Sequence, residues 1–503
     1  MAHRFVGLRE DGKHTYLYAQ DRTHRVRQVL WGDYQEVIGE LDDGWLEIDW
    51  AKRSPTKRTT LYIPKADTVA RRPLEIVFVD VGQGDGAVLI TPESGDEERI
   101  LVIDAGMGDN MRAFLSARFQ TYRGFDFSAA VITHPDSDHY NGFLDLFRDH
   151  KIGFDTIYHN GLVERPVPGT WQKIGSPQED PVSGIAYLHE LAVDLPAIQA
   201  EFANVPNNSP YLFPLVMKAA LDNPKINDVR MLSTTHAHNE EDTPWMPGFA
   251  PSDNRAYTIQ VLGPVVEENS AGIAGLRRLK SYGETKNGHS VLLKLRYGGF
   301  SVLFGGDLNE PAEKFLLQHY TGRDPLPRIG TPDYDTMVQE ARAVFEAEVM
   351  KSCHHGSEKV TDAFMAAVNP AAFVISSGDA EGHVHPRPDL LGRLGGLGRG
   401  GAPVILSTEL QRSTRAMEDR KIVQKLLDDI DALAAGVTQG KLDKIKQAVK
   451  TLGRSNVEVY GAIYLKTDGE RLITAFKVES ASELEKWFYF RYAFNSDGEL
   501  VRE

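Results

Sequence analysis

The chain has 503 residues, of which 41% are hydrophobic and 25% are charged, so its composition excludes wholesale disorder and fibrous repeats. Acidic residues outnumber basic ones by 71 to 56, and the net charge of −15 argues against a surface coated with nucleic-acid-binding charge, although a local basic groove stays open. The single cysteine, Cys353, excludes an intramolecular disulfide and a multi-cysteine zinc site, and it fits a reducing compartment.

Targeting signals are absent from the sequence pattern. No apolar run reaches the roughly 18 residues that a membrane-spanning helix needs. Residues 1–21 are rich in charge and lack the apolar core of a secretory signal. We therefore expect a cytoplasmic protein without membrane insertion. At about 150 residues per domain, the length suggests about three domains.

The first part of the chain has the pattern of a small β module. Short apolar and aromatic segments recur at residues 15–18, 28–31, 34–38 and 45–50. Turn residues at 42–44 separate the last two segments, which predicts an SH3-like β-barrel over residues 1–72. A basic stretch follows, with Lys52, Arg53, Lys57 and Arg58. A solvated linker is the favoured interpretation of these charges, and a phosphate-contacting patch is the alternative.

The central part of the chain predicts an α/β domain over residues 73–410. Apolar runs typical of strands recur at residues 74–79, 87–90, 100–103, 129–132, 291–297 and 300–304. Each run breaks into a polar or glycine-rich loop, which is how a sheet covered by helices presents a site at its strand ends. Residues 150–285 are less regular and are interpreted as an insertion that shapes the pocket.

The last part of the chain predicts a helical plus β-hairpin unit over residues 411–503. Apolar side chains recur there at helical spacing, at Ile422, Leu426, Ile430, Leu442, Ile445, Val449 and Leu452. A hairpin is predicted after them, over residues 457–465 and 471–478. This unit carries no chemical cluster, so we expect it, like the N-terminal module, to offer a surface for a protein partner.

The strongest chemical signal is the hexapeptide HPDSDH, which directly follows a predicted strand. It holds four side chains that can bind a metal, namely His134, Asp136, Asp138 and His139. Clustered carboxylates repel one another unless a cation lies between them. The hexapeptide therefore predicts a metal site, with an acidic helix start as the alternative interpretation.

This hexapeptide resembles the HxHxDH loop of the metallo-β-lactamase-fold hydrolases, with Asp136 in place of the second histidine. Other segments resemble, in the same order, motifs of the soluble ComEC-type competence hydrolase domain; they are DVGQGD from Asp80, DAG from Asp104, NGHS from Asn287, GGD ending at Asp307, HHGS from His354 and HP from His385. The resemblance covers about residues 74–410 and implies a four-layer αββα sandwich with a metal centre at one edge. It does not extend to a membrane channel.

The resemblance also implies a role for each matching residue. His134 and Asp136 would hold a first metal, with His289 either a third ligand or a residue outside the centre. Asp138, His139 and His385 would hold a second metal, and Asp307 would bridge the two. His354 and His355 would contact the scissile phosphate or the leaving group, one as general acid or charge stabiliser. Asp138, like these two histidines, is a candidate catalytic residue. Asp85 would orient ligands or touch metal. Asp104 would fix a loop through hydrogen bonds.

The expected chemistry follows from the ligand types. Two divalent cations about 4 Å apart can share a hydroxide with a pKa near neutrality. Replacing a histidine by Asp136 makes the site harder, which moves its preference from Zn²⁺ toward Mn²⁺ without excluding Zn²⁺. We therefore expect a phosphodiesterase or nuclease that acts on DNA or another nucleic acid. A small-molecule hydrolase of the same fold, acting on a cyclic nucleotide, lactone or β-lactam, and a degenerate binding module are the alternatives.

Overall fold

The computed structural model describes most of the chain, and the statements below concern its described residues, which are 2–51, 58–120, 124–378, 385–408, 420–452, 461–478, 480, 482–496, 498 and 500–503. The predicted residues Lys52, Arg53 and Lys57 and the first part of the predicted hairpin, residues 457–460, lie outside the described residues, as do the side chains of Ile422 and Leu452. Within the described part, the strands form four sheets.

The N-terminal strands form one sheet. They are β1 (Ala2–Val6), β2 (Thr15–Tyr18), β3 (Arg25–Val29), β4 (Tyr34–Glu40), β5 (Trp45–Ala51), β6 (Arg58–Pro64) and β7 (Thr68–Val69). Their order is β3-β2-β6-β5-β4-β1-β7, and every pairing is antiparallel. Alternate residues such as Leu46 and Ile48 point into a small core with Leu17 and Ile63. This sheet therefore has a hydrophobic core of its own.

The central strands build most of two large sheets and all of a separate small sheet. They are β8 (Leu74–Phe78), β9 (Gly86–Ile90), β10 (Ile100–Ala105), β11 (Asp126–Ile132), β12 (Gly153–His159), β13 (Gln178–Glu179), β14 (Ala186–Leu188), β15 (Ile226–Met231), β16 (His238–Glu240), β17 (Thr243–Trp245), β18 (Tyr257–Gly263), β19 (Glu267–Glu268), β20 (Ala274–Arg277), β21 (Leu292–Tyr297), β22 (Phe300–Phe304), β23 (Val349–Lys351), β24 (Ala372–Ile375) and β25 (Val404–Ser407). The second large sheet has the order β16-β17-β18-β21-β22-β23-β24-β25.

The helices lie between these strands and after them. They are α1 (Asn110–Phe119), α2 (Ser137–Tyr140), α3 (Phe143–Arg148), α4 (Leu195–Phe202), α5 (Leu212–Asp222), α6 (Tyr282–Gly288), α7 (Glu310–Thr321), α8 (Pro332–Phe345), α9 (Asp362–Val368), α10 (Pro388–Leu397), α11 (Arg420–Asp431) and α12 (Gln439–Leu452). Several begin at capping side chains, as α7 does at Asn309, whose side chain accepts from the Ala312 amide. None of the described helices is long and apolar enough to cross a membrane.

The C-terminal strands complete the first large sheet. They are β26 (Ile463–Thr467), β27 (Arg471–Lys477), β28 (Trp487–Phe494) and β29 (Leu500–Arg502). The sheet has the order β15-β12-β11-β10-β9-β8-β26-β27-β28-β29, with β26 antiparallel to β8. Buried Lys466 supports this junction, because its Nζ lies 2.9 Å from Glu75 Oε2. The chain's last strands are thus continuous with the central domain; the boundaries 1–72, 73–410 and 411–503 stay predictions.

Three hydrophobic cores set the order of the layers. Alternation along β10 sends Val102 to a core shared with the helices α1 to α5 and sends Leu101 to the opposite side. Leu101 packs in a core shared by both large sheets, where it meets residues such as Leu293. A third core joins the other face of the second sheet to the helices α7 to α10. The predicted mixed α/β class is confirmed.

Residues 150–285 contribute to these layers as well as projecting from them. Within this stretch, β12 and β15 belong to the first large sheet, and β16, β17 and β18 belong to the second. Four further strands of this stretch form a separate small sheet of order β13-β14-β20-β19, with a core around Leu188 and Leu276.

Candidate metal centre

The candidate site lies where loops after several strands of the two large sheets meet. His134 and His139 follow β11, Asp307 follows β22, and His355 follows β23. The strands β22 and β23 are parallel, so their carboxyl ends reach the same edge of the second sheet. Face-to-face packing of the sheets brings the β11 loop to that edge. The motifs are far apart in sequence, and the fold joins them.

Four buried side chains form the centre of the cluster, and they are Asp85, His139, Asp307 and His355. Each offers a potential ligand atom, and these atoms lie within 4.8 Å of one another. His139 Nε2 is 3.3 Å from His355 Nε2 and 3.3 Å from Asp307 Oδ1. His355 Nε2 is 3.2 Å from Asp307 Oδ2. Ligand atoms of one tetrahedral metal ion are about 3.4 Å apart, since each lies about 2.1 Å from the ion.

The hydrogen bonds of the histidines indicate which ring nitrogens are open. His139 Nδ1 faces Asp104 Oδ2 at 2.8 Å, and His355 Nδ1 faces the Ser376 carbonyl at 3.2 Å. Because both Nδ1 atoms face acceptors, each carries the proton of the neutral ring, and both Nε2 atoms carry lone pairs. In that neutral form, two lone pairs directed at each other beside a carboxylate require either a metal cation or additional protons between them. The cluster could therefore hold a divalent metal ion.

His134 adds a third open nitrogen. Its Nδ1 lies 3.1 Å from Thr133 Oγ1 and 3.2 Å from Ser290 Oγ, and both hydroxyls donate elsewhere. His134 Nε2 is buried and has no hydrogen-bond partner among the described residues. Burial also lowers the pKa of His134 well below its ordinary value, which keeps the ring neutral. A neutral imidazole with a bare buried nitrogen is suited to ligate metal.

Charges within the cluster shift the pKa values of its members. Burial opposes the charged form of each histidine, yet Asp307 raises the pKa of His139 and of His355 well above the ordinary value. The same two rings outweigh burial at Asp307 and hold its pKa well below the ordinary range. Protons thus take the place of a cation between these groups, and a metal ion must displace them.

Asp104 positions His139 rather than facing the centre. Its Oδ1 accepts the Thr133 amide at 2.8 Å, and its Oδ2 accepts the Thr133 hydroxyl at 2.7 Å and faces His139 Nδ1. The predicted hydrogen bonding of Asp104 to a loop is thus present, together with a contact to His139 that the sequence did not predict. Asp104 has φ +54°, a strained conformation for a residue with a Cβ.

Asp85 has a similar positioning geometry around His355. Its Oδ1 lies 3.0 Å from His355 Nδ1, and its Oδ2 forms an ion pair with Lys351 Nζ. Lys351 is buried, and its Nζ also donates to the Gly306 carbonyl at 3.0 Å. Lys351 therefore engages Oδ2, whereas Oδ1 is buried without a hydrogen-bond partner among the described residues, so the predicted alternatives for Asp85, orienting ligands or touching metal, both stay open.

The other predicted residues lie around this centre at different depths. Asp138 Oδ2 is 3.5 Å from His355 Nε2, and contacts with His355 and His139 hold the pKa of Asp138 below its ordinary value despite burial. His354 is one-quarter exposed, with its Nε2 3.8 Å from Asp307 Oδ2. The His385 ring lies 6.0 Å from the His354 ring and 6.4 Å from the His355 ring. His354 and His355 have φ +50° and +52°, so backbone strain concentrates here.

Two predicted first-metal ligands are engaged elsewhere. His289 is buried, and its Nε2 lies 2.7 Å from the Arg277 carbonyl, outside the group of four residues. Burial lowers its pKa to about 4. Asp136 Oδ1 lies 3.1 Å from Lys286 Nζ, outside the same group. The structure therefore does not bring Asp136 and His289 to the cluster that gathers His139, Asp307 and His355.

Sequence reasoning missed several polar residues that support the site, and these are Lys286, Lys351, Glu164 and Ser290. Ser290 lay within a quoted motif but received no role, although its Oγ accepts the Asp307 amide at 3.0 Å. Lys351 carried a usable signal, since a lysine within an apolar strand needs a buried partner. Nothing local marks Glu164 as a partner of Lys286, because 122 residues separate them.

Comparison with known proteins identifies part of the chain. Residues 87–198 match the model of the metallo-beta-lactamase superfamily. The matched stretch includes the loop from His134 to His139 and ends before Asp307 and His355. A metallo-β-lactamase domain is therefore present. No curated protein matches the chain.

One of the solved structures similar to this chain is the crystal structure of a protein of unknown function from Enterococcus faecalis V583. It shares 10% sequence identity, with a TM-score of 0.22, and the match covers 61% of this chain. The chain spans about half of that structure, 54% of its length. A likeness this weak carries no conclusion about function.

Proposed function

Since the chain contains a metallo-β-lactamase domain, we propose that it is a metal-dependent phosphodiesterase, with nucleic acid as its substrate. The observation that carries the proposal is the convergence of His139 Nε2, His355 Nε2 and the Asp307 carboxylate in one buried cluster, with the His134 ring 4.1 Å from the His139 ring. Such a donor set has no favourable arrangement at neutral pH without a cation or additional protons.

The residues proposed to hold a divalent ion are His134, His139, Asp307 and His355, with Asp138 at their edge. Mixed imidazole and carboxylate donors accept Zn²⁺, and the carboxylates also suit Mn²⁺. When bound, the ion would lower the pKa of a water molecule and neutralise charge on phosphate oxygens. Asp104 and Asp85 keep His139 and His355 in the tautomer that leaves Nε2 open.

His354 is proposed to contact the substrate. It is the more exposed of the two adjacent histidines, and burial lowers its pKa from the ordinary value. A neutral imidazole at the mouth of the cluster can donate one hydrogen bond to a phosphate or leaving-group oxygen. His355 lies too deep for this role, since its ring nitrogens face Asp307 and Asp85.

A cavity beside α2 supports an anionic substrate. It has a volume of about 190 Å³ and is lined by residues that include Ser137, Tyr140, Arg165 and Lys173. Ser137 lies between Asp136 and Asp138, so the cavity adjoins the metal-binding loop. Lys173 forms no ion pair with a described residue, and its ammonium can meet a phosphate in this cavity.

The small size of this cavity favours a second candidate, a hydrolase of a small molecule such as a cyclic nucleotide, lactone or β-lactam. The remaining alternative is a degenerate binding module. The small-molecule hydrolase would cleave only small substrates and the binding module would cleave none, so one set of assays separates both from the phosphodiesterase.

The experiment is a substrate panel with Mn²⁺- or Zn²⁺-loaded protein. Single-stranded DNA, duplex DNA, plasmid and a model phosphodiester are compared with cyclic nucleotides, lactones and a β-lactam. We expect cleavage of the polymers and the model diester, and loss of cleavage in Asp307→Asn. Hydrolysis of small molecules alone would support the second candidate, and metal-free inert protein would support the binding module.

A further inference from the structure

A buried lysine ammonium lies beside the metal-binding loop. Lys286 is on α6, and its side chain is 8% exposed. Its Nζ is 3.1 Å from Asp136 Oδ1 and 2.9 Å from Glu164 Oε1. The same Nζ lies 5.2 Å from the centre of the Tyr282 ring, which adds a cation–π contact. The ammonium is therefore held on several sides.

The second oxygen of Asp136 is also engaged. The Asn287 amide, oriented so that its nitrogen donates, reaches Asp136 Oδ2 at 3.1 Å and the Gly283 carbonyl at 3.0 Å. Glu164 Oε1 accepts a further hydrogen bond from Tyr282 Oη at 3.0 Å. Lys286, Asn287 and Tyr282 all belong to α6, so a single helix supplies the donors for both carboxylates.

The donors of the predicted first metal therefore do not fit a bound ion. Protein-bound zinc takes at least three protein ligands in catalytic sites. Asp136 has both oxygens engaged, and His289 Nε2 faces the Arg277 carbonyl. Of the three predicted ligands, His134 offers an open buried Nε2, whereas Lys286 and Asn287 contact both oxygens of Asp136, and His289 lies outside the group of four residues. A second ion at this end would have to break the contacts of Lys286.

We infer that Lys286 is a built-in cation that takes the place of the predicted first metal, so that the chain holds one divalent ion. This inference rests on the proposed function and deepens it, because it concerns the composition of the same site. The single ion would be held by His134, His139, Asp307 and His355, and Asp136 is a partner of lysine rather than a metal ligand.

A fixed ammonium at this end of the site differs from a bound metal in its permanence and in its chemistry. It stays in place when divalent ions are removed, and it cannot supply a metal-bound water. Glu164, its partner, also lines the cavity that holds Arg165 and Lys173. Lys286 therefore stabilises the wall of this cavity whether or not metal is present.

The test is the number of bound ions per chain. Wild-type protein is saturated with Mn²⁺ or with Zn²⁺, passed through a desalting column and analysed for metal, and binding is followed by titration calorimetry. The variants are Asp136→Asn, Lys286→Met and Asp307→Asn. Lys294→Met is the matched control, because Lys294 is another buried lysine and its Nζ donates to the Val344 carbonyl instead.

We expect one ion in wild type, in Asp136→Asn and in Lys294→Met, and none in Asp307→Asn. In Lys286→Met, Asp136 and Glu164 lose their cation, so we expect a second ion. Two ions in wild type, loss of the ion in Asp136→Asn, or a folded Lys286→Met that stays at one ion would overturn the inference. Wild type without any ion would overturn the proposed function too, whereas two ions would leave that function standing.

Discussion

Two residues of the HPDSDH loop, Asp136 and His139, lie in different electrostatic surroundings. At one end, which we call the metal end, His139 Nε2 faces His355 Nε2 and Asp307. At the other, which we call the lysine end, Asp136 and Glu164 contact the ammonium of Lys286. Only three positions separate Asp136 from His139. The comparison shows that the partner supplied by the fold, and not the local motif, determines what each carboxylate binds.

Solvent exposure follows the same division. The side chain of Asp307 is 3% exposed at the metal end, and that of Asp136 is 35% exposed at the lysine end. Charges that are almost fully buried need close partners, because desolvation is costly. The metal end therefore depends on a cation more strongly than the lysine end does, and the following predictions test this difference.

The largest effect is expected for Asp307→Ala. The variant removes the carboxylate that lies closest to both open nitrogens of His139 and His355. Loss of a direct ligand should exceed the roughly 10- to 100-fold loss that is typical of supporting residues. We expect metal affinity to fall by more than about 100-fold, measured by titration calorimetry. Glu164→Gln at the lysine end is the control, and an equal loss there would contradict the comparison.

Asp104→Asn should have the next largest effect. The carboxylate fixes the Nδ1 tautomer of His139, and the amide can present either a donor or an acceptor to that nitrogen. We expect metal affinity to fall by about 10- to 100-fold, with one ion still bound at saturation. Unchanged affinity would show that Asp104 serves only the Thr133 loop. Circular dichroism of the variant checks that the fold is retained.

Glu313 on α7 is a buried carboxylate without a cationic partner among the described residues, so its effect on stability shows the cost of leaving such a charge unpaired. It is fully buried and forms no ion pair among the described residues, and burial raises its pKa to about 7 despite a hydrogen bond from the Thr361 amide. Between about pH 4.5 and 7 the unfolded state binds fewer protons than the folded state. The free energy of unfolding therefore falls as the pH rises through this window and levels off above it.

We expect Glu313→Gln to remove about 2 kcal/mol of this decline. Urea unfolding at pH 5 and pH 8, with a chelator present to exclude metal effects, measures the change. Glu310→Gln is the matched control, because Glu310 lies on the same helix and is exposed. Equal pH dependence in both variants would refute the prediction.

The smallest effect is expected at the lysine end, for Tyr282→Phe. The variant removes the hydroxyl that donates to Glu164 Oε1 and leaves the ring beside Lys286. A hydrogen bond to a partly exposed charged group contributes about 1 kcal/mol to the free energy of unfolding. Metal content should stay at the wild-type value, measured by elemental analysis. Loss of metal in this variant would show that the lysine end affects metal binding, and it would contradict the expectation that the two ends act independently.

Local sequence patterns predicted the mixed α/β class and the regions where strand ends carry chemistry. The strand before Thr133 and the polar hexapeptide after it can be predicted from the sequence, because hydrophobic periodicity and polar loops are properties of residues that are neighbours in the chain. The hexapeptide itself predicted His139, whereas Asp307 and His355 were assigned to the centre through the resemblance of their motifs to a known family. Their ligand roles stay proposals. Asp136 and His289 could not be assigned in this way, because their partners Lys286 and the Arg277 carbonyl become neighbours through folding.

The sequence by itself thus predicted the main apolar strands of the central part and the chemical types at their ends, since these follow from local periodicity and side-chain character. Tertiary structure alone decided that β26 pairs with β8 and extends the first large sheet. It also decided that Lys351 meets Asp85 and that Lys286 meets Asp136. Buried charges must be paired, and packing, not spacing along the chain, selects the pair.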